Sequence, residues 1–270
     1  MDRIKKGNYK AVFTDIDGTL LNTSHQVPKA SKERIRQLDG QGIPFVLVSA
    51  RMPKGMIGIR DEIGVRAPMV CYSGALVVDA DGRAMASYVL DEKETKALCM
   101  YIKQEEPEVS LNLYYEDSWM VEDKKEYWVK QEMDITQIEA DEIPFTDEGF
   151  SRKTHKILCM GEADQIDRLE KNLVQEFPEI RIYKSKDTYL EVMPMAASKS
   201  AAIRILEDIF SVQREEIIAF GDGHNDIDML QYAGLGVAMG NASVEVKEAA
   251  DIVTKRNDEE GLRYILDRAF

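Results

Sequence analysis

Two acidic segments of the chain follow short apolar runs, and both could hold a cation. The segment DIDGT, at positions 15–19, follows the apolar run 11–13, and the segment GDGHND, at positions 221–226, follows the run 217–220. Two carboxylates two residues apart can converge on one cation or divide the roles of acid and nucleophile. Oxygen ligands of this kind suit hard divalent cations such as Mg²⁺. Taken singly, each segment could instead be a simple turn or a helix cap.

A hydroxyl group and a lysine could add an anion site to these acids. Ser49 follows the apolar run 44–48, and its hydroxyl could bind a phosphate oxygen beside the backbone N–H of Ala50. In the alternative reading, Ser49 only caps the segment after it. Lys199 begins an amphipathic pattern, where a cation opposes the helix dipole, so we expect it to serve an anion. An exposed lysine is the ordinary alternative.

The elements that would position these residues alternate between strands and helices. Strands are predicted for the apolar runs 11–13, 44–48, 69–72, 217–220, 236–239 and 251–254. Helical spacing appears at 31–38 and again at Ala202, Ile205, Leu206 and Ile209. This alternation predicts an α/β fold, a doubly wound Rossmann-like parallel sheet, with the chemical residues at the carboxyl edge of its strands.

The middle of the chain differs from both ends. Its strands alternate polar and apolar residues, and two amphipathic helices are predicted at 92–105 and 163–177, the second with Ile166, Leu169, Leu173, Val174 and Phe177 on one stripe. We therefore predict an inserted α+β cap domain over residues 83–192. Residues 1–82 and 193–270 would form one discontinuous core domain.

The charge of the chain limits its partners. Its 270 residues include 35 basic and 49 acidic side chains, for a formal net charge of -14. Such a surface repels nucleic acid and anionic membranes, so a phosphate site needs its own local cations. The three scattered cysteines, and the lack of a signal-like or spanning segment, favour a cytoplasmic protein. No obligate protein partner is evident.

Four segments in this order resemble the haloacid dehalogenase (HAD) superfamily, specifically the Cof-type phosphatases with an inserted type IIB cap. The four are DIDGT, the SAR at 49–51, Lys199 with its flanking residues, and GDGHND. The resemblance covers essentially the whole chain and includes GA at 74–75, MGNA at 239–242 and ADIVT at 250–254. Two departures are the SAR, where the family often has TGR, and Ser73, which stands where Asn usually precedes Gly-Ala.

The resemblance implies a role for each matching residue. Asp15 would be the nucleophile that forms an aspartyl-phosphate, and Asp17 the general acid/base. The implied Mg²⁺ ligands are Asp15, the backbone carbonyl of Asp17, and Asp222, with Asp226 supporting them. The residues expected to hold the phosphoryl group are Ser49, Ala50, Lys199 and Asn225. His224 could shuttle protons, although a loop histidine is usually only solvated.

The expected function is Mg²⁺-dependent hydrolysis of a small phosphorylated metabolite, with sugar phosphate as the expected class. The cap residues that could face this substrate, or merely pack, are Tyr114, Trp119, His155, Lys156 and Glu191. A phosphomutase that shares the Asp15 chemistry remains an alternative. A non-catalytic phosphometabolite-binding protein is a further alternative, but binding alone needs no acid/base pair.

Overall fold

The computed structural model describes residues 3–145 and 152–270. The described residues form fourteen β-strands: β1 Ala11–Asp15, β2 Phe45–Val48, β3 Met69–Cys71, β4 Leu76–Val78, β5 Ala84–Ser87, β6 Ser110–Tyr115, β7 Ser118–Val121, β8 Asp141–Glu142, β9 Lys156–Met160, β10 Ile180–Lys186, β11 Tyr189–Pro194, β12 Ile217–Gly221, β13 Leu235–Ala238 and β14 Ile252–Val253. They also form nine α-helices: α1 Lys29–Gly40, α2 Lys54–Ile63, α3 Glu92–Glu105, α4 Tyr127–Thr136, α5 Ala163–Glu176, α6 Lys199–Phe210, α7 Ile227–Tyr232, α8 Val244–Ala249 and α9 Gly261–Ala269. None of these helices is both long and apolar enough to cross a bilayer.

The first compact unit contains Met1–Ala86 and Ser198–Phe270. Its eight-stranded sheet has the order β14-β13-β12-β1-β2-β3-β4-β5, and the strands from β14 to β3 pair in parallel. Strands β1, β2 and β12 are buried along their whole length, as expected for apolar runs covered on both faces. The prediction of a doubly wound parallel α/β sheet is confirmed.

The order of strands in this sheet brings the chemical segments together. Strand β1 lies between β2 and β12 and runs parallel to both, so the carboxyl ends of the three strands meet at one edge. Asp15 ends β1 opposite Val48, the residue before Ser49, and Asp222 directly follows β12. The sheet therefore places the acids and the hydroxyl side by side.

The second compact unit contains Ser87–Ala197. Its six-stranded, mostly antiparallel sheet has the order β10-β11-β9-β6-β7-β8. Helices α3 and α5 contribute Leu98, Ile166 and Leu169 to a hydrophobic cluster with the sheet. Asp91, directly before α3, forms a capping box: its side chain accepts from the N–H of Glu94, and the side chain of Glu94 accepts from the N–H of Asp91. A polar start followed by an apolar stripe thus fixes this helix on the sheet.

Two side chains predicted on buried helix faces are exposed instead. Ile209 is 48% exposed and Val174 is 51% exposed. In α6 the buried face runs through Ala202, Ile203 and Leu206, which centres it away from Ile209. In α5, Val174 lies about 100° around the helix axis from Leu173, which is buried. The buried face of α5 is therefore narrower than the apolar pattern in the sequence indicated.

His155 is a buried neutral histidine in the second unit. Its ring has no exposed surface and stacks on Tyr115 at a centroid distance of 5.1 Å. Nδ1 accepts a hydrogen bond from the backbone N–H of Glu116 at 3.1 Å, and Nε2 lies 3.0 Å from Ser87 Oγ. Because a backbone N–H only donates, the ring proton belongs on Nε2. Burial lowers the pKa of His155 to about 4.

This histidine is expected to weaken the fold as the pH falls from about 6.5 to 4. In that interval His155 is protonated in the unfolded chain but neutral in the folded protein. The free energy of unfolding therefore decreases with falling pH. Between pH 7 and pH 4.5 the contribution of His155 is about 2 to 3 kcal/mol. Urea unfolding at both pH values should show that the free energy of unfolding falls less for His155→Gln than for the parent. His25→Gln, at an exposed position, should lose as much as the parent; equal losses in all three proteins would contradict the prediction.

Candidate active site

A buried lysine joins two carboxylates at the edge of the first sheet. Lys199 has no exposed surface, and its Nζ donates to Asp15 Oδ1 at 2.6 Å and to Asp226 Oδ1 at 2.5 Å. Burial alone would lower the pKa of Lys199, but the two carboxylates raise it well above its usual value. Burial raises the pKa of Asp15, while the ammonium group of Lys199 opposes that rise. Asp15 therefore lies beside a cation, the ammonium group of Lys199, which its hydrogen bonds hold in place.

A close approach between two backbone segments places Lys199 there. Gly74 has φ +103°, and a Cβ on it would lie 2.1 Å from the carbonyl oxygen of Ser198. Ser198 caps α6 by accepting from the N–H of Ala201, which sets the direction of the first helical turn. A glycine at position 74 therefore lets α6 begin next to the turn 72–74. Lys199 is the first residue of that helix.

Asp222 is held close to the DIDGT segment. Thr19 Oγ1 donates to Asp222 Oδ1 at 2.6 Å. Gly18 has φ +80°, and a Cβ on it would fall 2.2 Å from Asp222 Oδ2, so the turn and the carboxylate fit only without a side chain. Burial raises the pKa of Asp222 to about 6. Asp226 Oδ2 accepts from the N–H groups of Asp222 and Gly223, at 2.9 and 2.8 Å, and so fixes the loop between them.

The carboxylates at this edge fit a divalent cation. Ligand oxygens of Asp15, Asp222 and Asp226 lie within 4.8 Å of one another. Three like charges at this spacing repel each other, and Lys199 neutralises only part of that charge. Asp226 already accepts bonds from Lys199 and from two backbone N–H groups, so Asp15 and Asp222 are better placed to bind a metal. An all-oxygen donor set of this kind matches Mg²⁺.

The carboxylate of Asp17 is not part of this cluster. Its side chain is 47% exposed and forms a bidentate pair with Arg51, whose Nε and Nη2 donate at 2.8 and 2.7 Å. Parallel double bonds of this type fix the orientation of a carboxylate. The sequence reasoning gave Arg51 no role, although it directly follows Ser49 and Ala50 in the same segment.

The remaining predicted residues lie on neighbouring turns. Ser49 is 3% exposed; its Oγ accepts from the N–H of Arg51 at 3.2 Å, and its carbonyl accepts from the N–H of Ser73 at 2.8 Å. Asn225 Nδ2 lies 3.5 Å from Ser73 Oγ. Ala50 follows Ser49 and is half-buried. His224, in contrast, is exposed, and its Nε2 lies 3.5 Å from Ser243 Oγ.

Comparison with known proteins assigns this chain to a family. A sequence profile of haloacid dehalogenase-like hydrolases matches residues 12–266. A putative phosphatase of Haemophilus influenzae is 40% identical over 262 residues, which cover 97% of this chain and 98% of that protein. The chain belongs to the haloacid dehalogenase-like hydrolases, as its motifs predicted.

Solved structures agree with the fold. A haloacid dehalogenase-like hydrolase from Bacteroides thetaiotaomicron has a TM-score of 0.88 at 28% identity, covering 97% of this chain and 100% of its own. A sugar phosphatase of HAD subclass IIB has a TM-score of 0.84 at 25% identity, covering 96% of this chain and 98% of its own. The phosphatase names of these relatives agree with the predicted class, a phosphoric monoester hydrolase.

Proposed function

We propose that this protein is a magnesium-dependent phosphatase that hydrolyses a small phosphorylated metabolite through an aspartyl-phosphate on Asp15. The observation that carries the proposal is the buried Asp15 carboxylate, which accepts a hydrogen bond from Lys199 and has ligand oxygens of Asp222 and Asp226 within 4.8 Å. A nucleophile, a fixed cation and a metal-binding set at one sheet edge are what phosphoryl transfer to a carboxylate requires. The net charge of -14 makes such local cations necessary for an anionic substrate.

The reaction divides into two displacements at phosphorus. An Asp15 oxygen forms a bond to phosphorus as the ester P–O bond breaks, and the leaving alkoxide takes a proton from Asp17. Water then attacks phosphorus and gives a proton to Asp17, while the bond between phosphorus and the Asp15 oxygen breaks; inorganic phosphate is released and the Asp15 carboxylate is restored. Lys199 neutralises the phosphoryl oxygens, and Ser49, the Ala50 N–H and Asn225 hold them. Mg²⁺, held by Asp15, Asp222 and the Asp17 carbonyl, would supply further charge neutralisation.

The contact between Asp17 and Arg51 is relevant to the proton transfers. Both Asp17 oxygens accept from the guanidinium group of Arg51. A carboxylate paired in this way carries no proton, so Asp17 must leave the pair and take up a proton from solvent before it can protonate the leaving alkoxide. Between the two displacements Asp17 is again a carboxylate, and Arg51 can then orient it.

Sugar phosphates are the proposed substrate class. A structural relative at 25% identity is described as a sugar phosphatase, which supports this choice. The inserted unit, predicted over residues 83–192, would act as a lid that excludes water and selects the leaving group. The net charge of -14 supports an enzyme that binds neither nucleic acid nor anionic membrane.

The test is phosphate release from p-nitrophenyl phosphate and from a panel of sugar phosphates, each with Mg²⁺ or with EDTA. We expect equal release of phosphate and alcohol that stops with EDTA and returns when Mg²⁺ is added in excess. If the phosphoryl group moves within a sugar without free phosphate, and a bisphosphate is needed, the protein is a phosphomutase instead. Binding of these esters without any turnover would identify a non-catalytic binding protein and overturn the proposal.

A further inference from the structure

Asn241, in the MGNA segment, makes contacts that the proposed reaction leaves without a role. Its Nδ2 donates to the carbonyl of Gly18 at 2.8 Å and to Asp222 Oδ2 at 3.2 Å. Its Oδ1 accepts from the backbone N–H of Asn257 at 3.1 Å. A backbone N–H can only donate, so the amide oxygen must face Asn257. The amide NH₂ group is thereby directed at the two acidic segments.

The carboxylate of Asp222 is consequently held from both sides. Thr19 donates to one oxygen and Asn241 to the other. Each carboxylate oxygen has two lone pairs, so both oxygens can still bind a further ligand. Both donors are neutral, in contrast to Lys199, which pairs with Asp15 and Asp226. The carboxylate of Asp222 is therefore held in one orientation, and no neighbouring cation neutralises its charge through these two bonds.

The support for Asn241 comes from the chain after β14. Asn257 is 7% exposed, and its Nδ2 donates to the carbonyl of Leu21 at 2.9 Å. Next to it, Asp258 Oδ1 accepts from the N–H and the hydroxyl of Thr23, at 2.9 and 3.0 Å. Hydrogen bonds thus join this segment to the loop after β1, and the same segment donates to Asn241. The amide of Asn241 cannot rotate without breaking the bond to Asn257.

We propose that Asn241 is a positioning residue that orients Asp222 and the Gly18 turn for a divalent cation. The inference rests on the proposed metal-dependent function and adds a residue to it. A neutral donor is suited to this position because it fixes the carboxylate and leaves the charge for the metal. Contacts of this kind around metal ligands change metal affinity by about 10- to 100-fold when removed.

The test compares Mg²⁺ binding, measured by isothermal titration calorimetry without substrate, for the parent, Asn241→Ala and Asn8→Ala. Asn241→Ala is expected to raise the Kd for Mg²⁺ by about 10- to 100-fold. Asn8→Ala is the control, because it makes the same Asn-to-Ala change in the first unit but removes only an exposed amide, which donates to the carbonyl of Glu215 before β12 and contacts neither Asp222 nor Asn241. Its Kd should stay within about twofold of the parent value.

The outcomes separate this inference from the proposed function. If the parent binds Mg²⁺ and Asn241→Ala binds it equally or more tightly, the positioning role is wrong and the metal site stands. If Asn8→Ala weakens binding as much as Asn241→Ala, the effect is not specific to the contacts of Asn241 and the role is also wrong. A parent that binds no Mg²⁺ overturns both. Should Asn241→Ala fail to fold, Asn241→Ser gives the same comparison, because its hydroxyl is too short to reach Asp222.

Discussion

Asp15→Asn is expected to lower kcat/KM for phosphate esters by about 10⁴-fold or more, the scale seen when a catalytic nucleophile is removed. An amide oxygen is a far weaker nucleophile than a carboxylate, so the aspartyl-phosphate cannot form at a useful rate. The substitution keeps the shape of the side chain, and Lys199 keeps its bond to Asp226. We therefore expect the variant to fold, and steady-state phosphate release at saturating Mg²⁺ measures the effect.

The control for this variant is Asp81→Asn. Asp81 is an exposed acid in the turn between β4 and β5, paired with Arg66 and Arg83. The substitution Asp81→Asn makes the same chemical change, carboxylate to amide, away from the Asp15 cluster. It should leave kcat/KM unchanged. Persistent activity in Asp15→Asn would show that another group attacks phosphorus.

Lys199→Met is expected to remove activity and to destabilise the first unit by about 3 to 5 kcal/mol at neutral pH. The substitution leaves the buried carboxylates of Asp15 and Asp226 facing each other without their cation. Without the ammonium group, burial and the repulsion from Asp226 raise the folded pKa of Asp15 further above its unfolded value, so Asp15 takes up a proton. Stability lost in this way is smaller below that unfolded pKa and grows as the pH rises. Urea unfolding at pH 5 and pH 8 should therefore show a larger deficit at pH 8.

Lys32→Met provides the matched control for the lost charge. Lys32 pairs with Glu62 at 2.8 Å, and both side chains are partly exposed, at 24% and 48%. Such surface pairs contribute about 1 kcal/mol or less. If Lys199→Met is no less stable than Lys32→Met, the buried ammonium group is not what stabilises the two acids.

The sequence predicted the sheet and the segments at its edge because both depend on local patterns. Apolar runs such as 45–48 and 217–220 must be covered on both faces, which favours parallel strands between helices. A polar residue directly after such a run lies at the carboxyl edge, and this placed Asp15, Ser49 and Asp222 correctly relative to their strands. Exposure on helices was less predictable. Ile209 and Val174 fit the apolar spacing, but the neighbouring elements cover only part of each stripe.

Side-chain partners were decided by the tertiary structure alone. Lys199 meets Asp15 across 184 residues of chain, and Thr19 meets Asp222 across 203. The sequence placed Asp17 beside Asp15, but the direction of its side chain depends on where the segment after β2 brings Arg51. The partners of Asn241 depend equally on how the segment after β14 lies against the first loop. Spacing along the chain therefore determined which residues reach the sheet edge, and packing between distant segments determined which of them touch, because a side chain's direction follows from its neighbours in space.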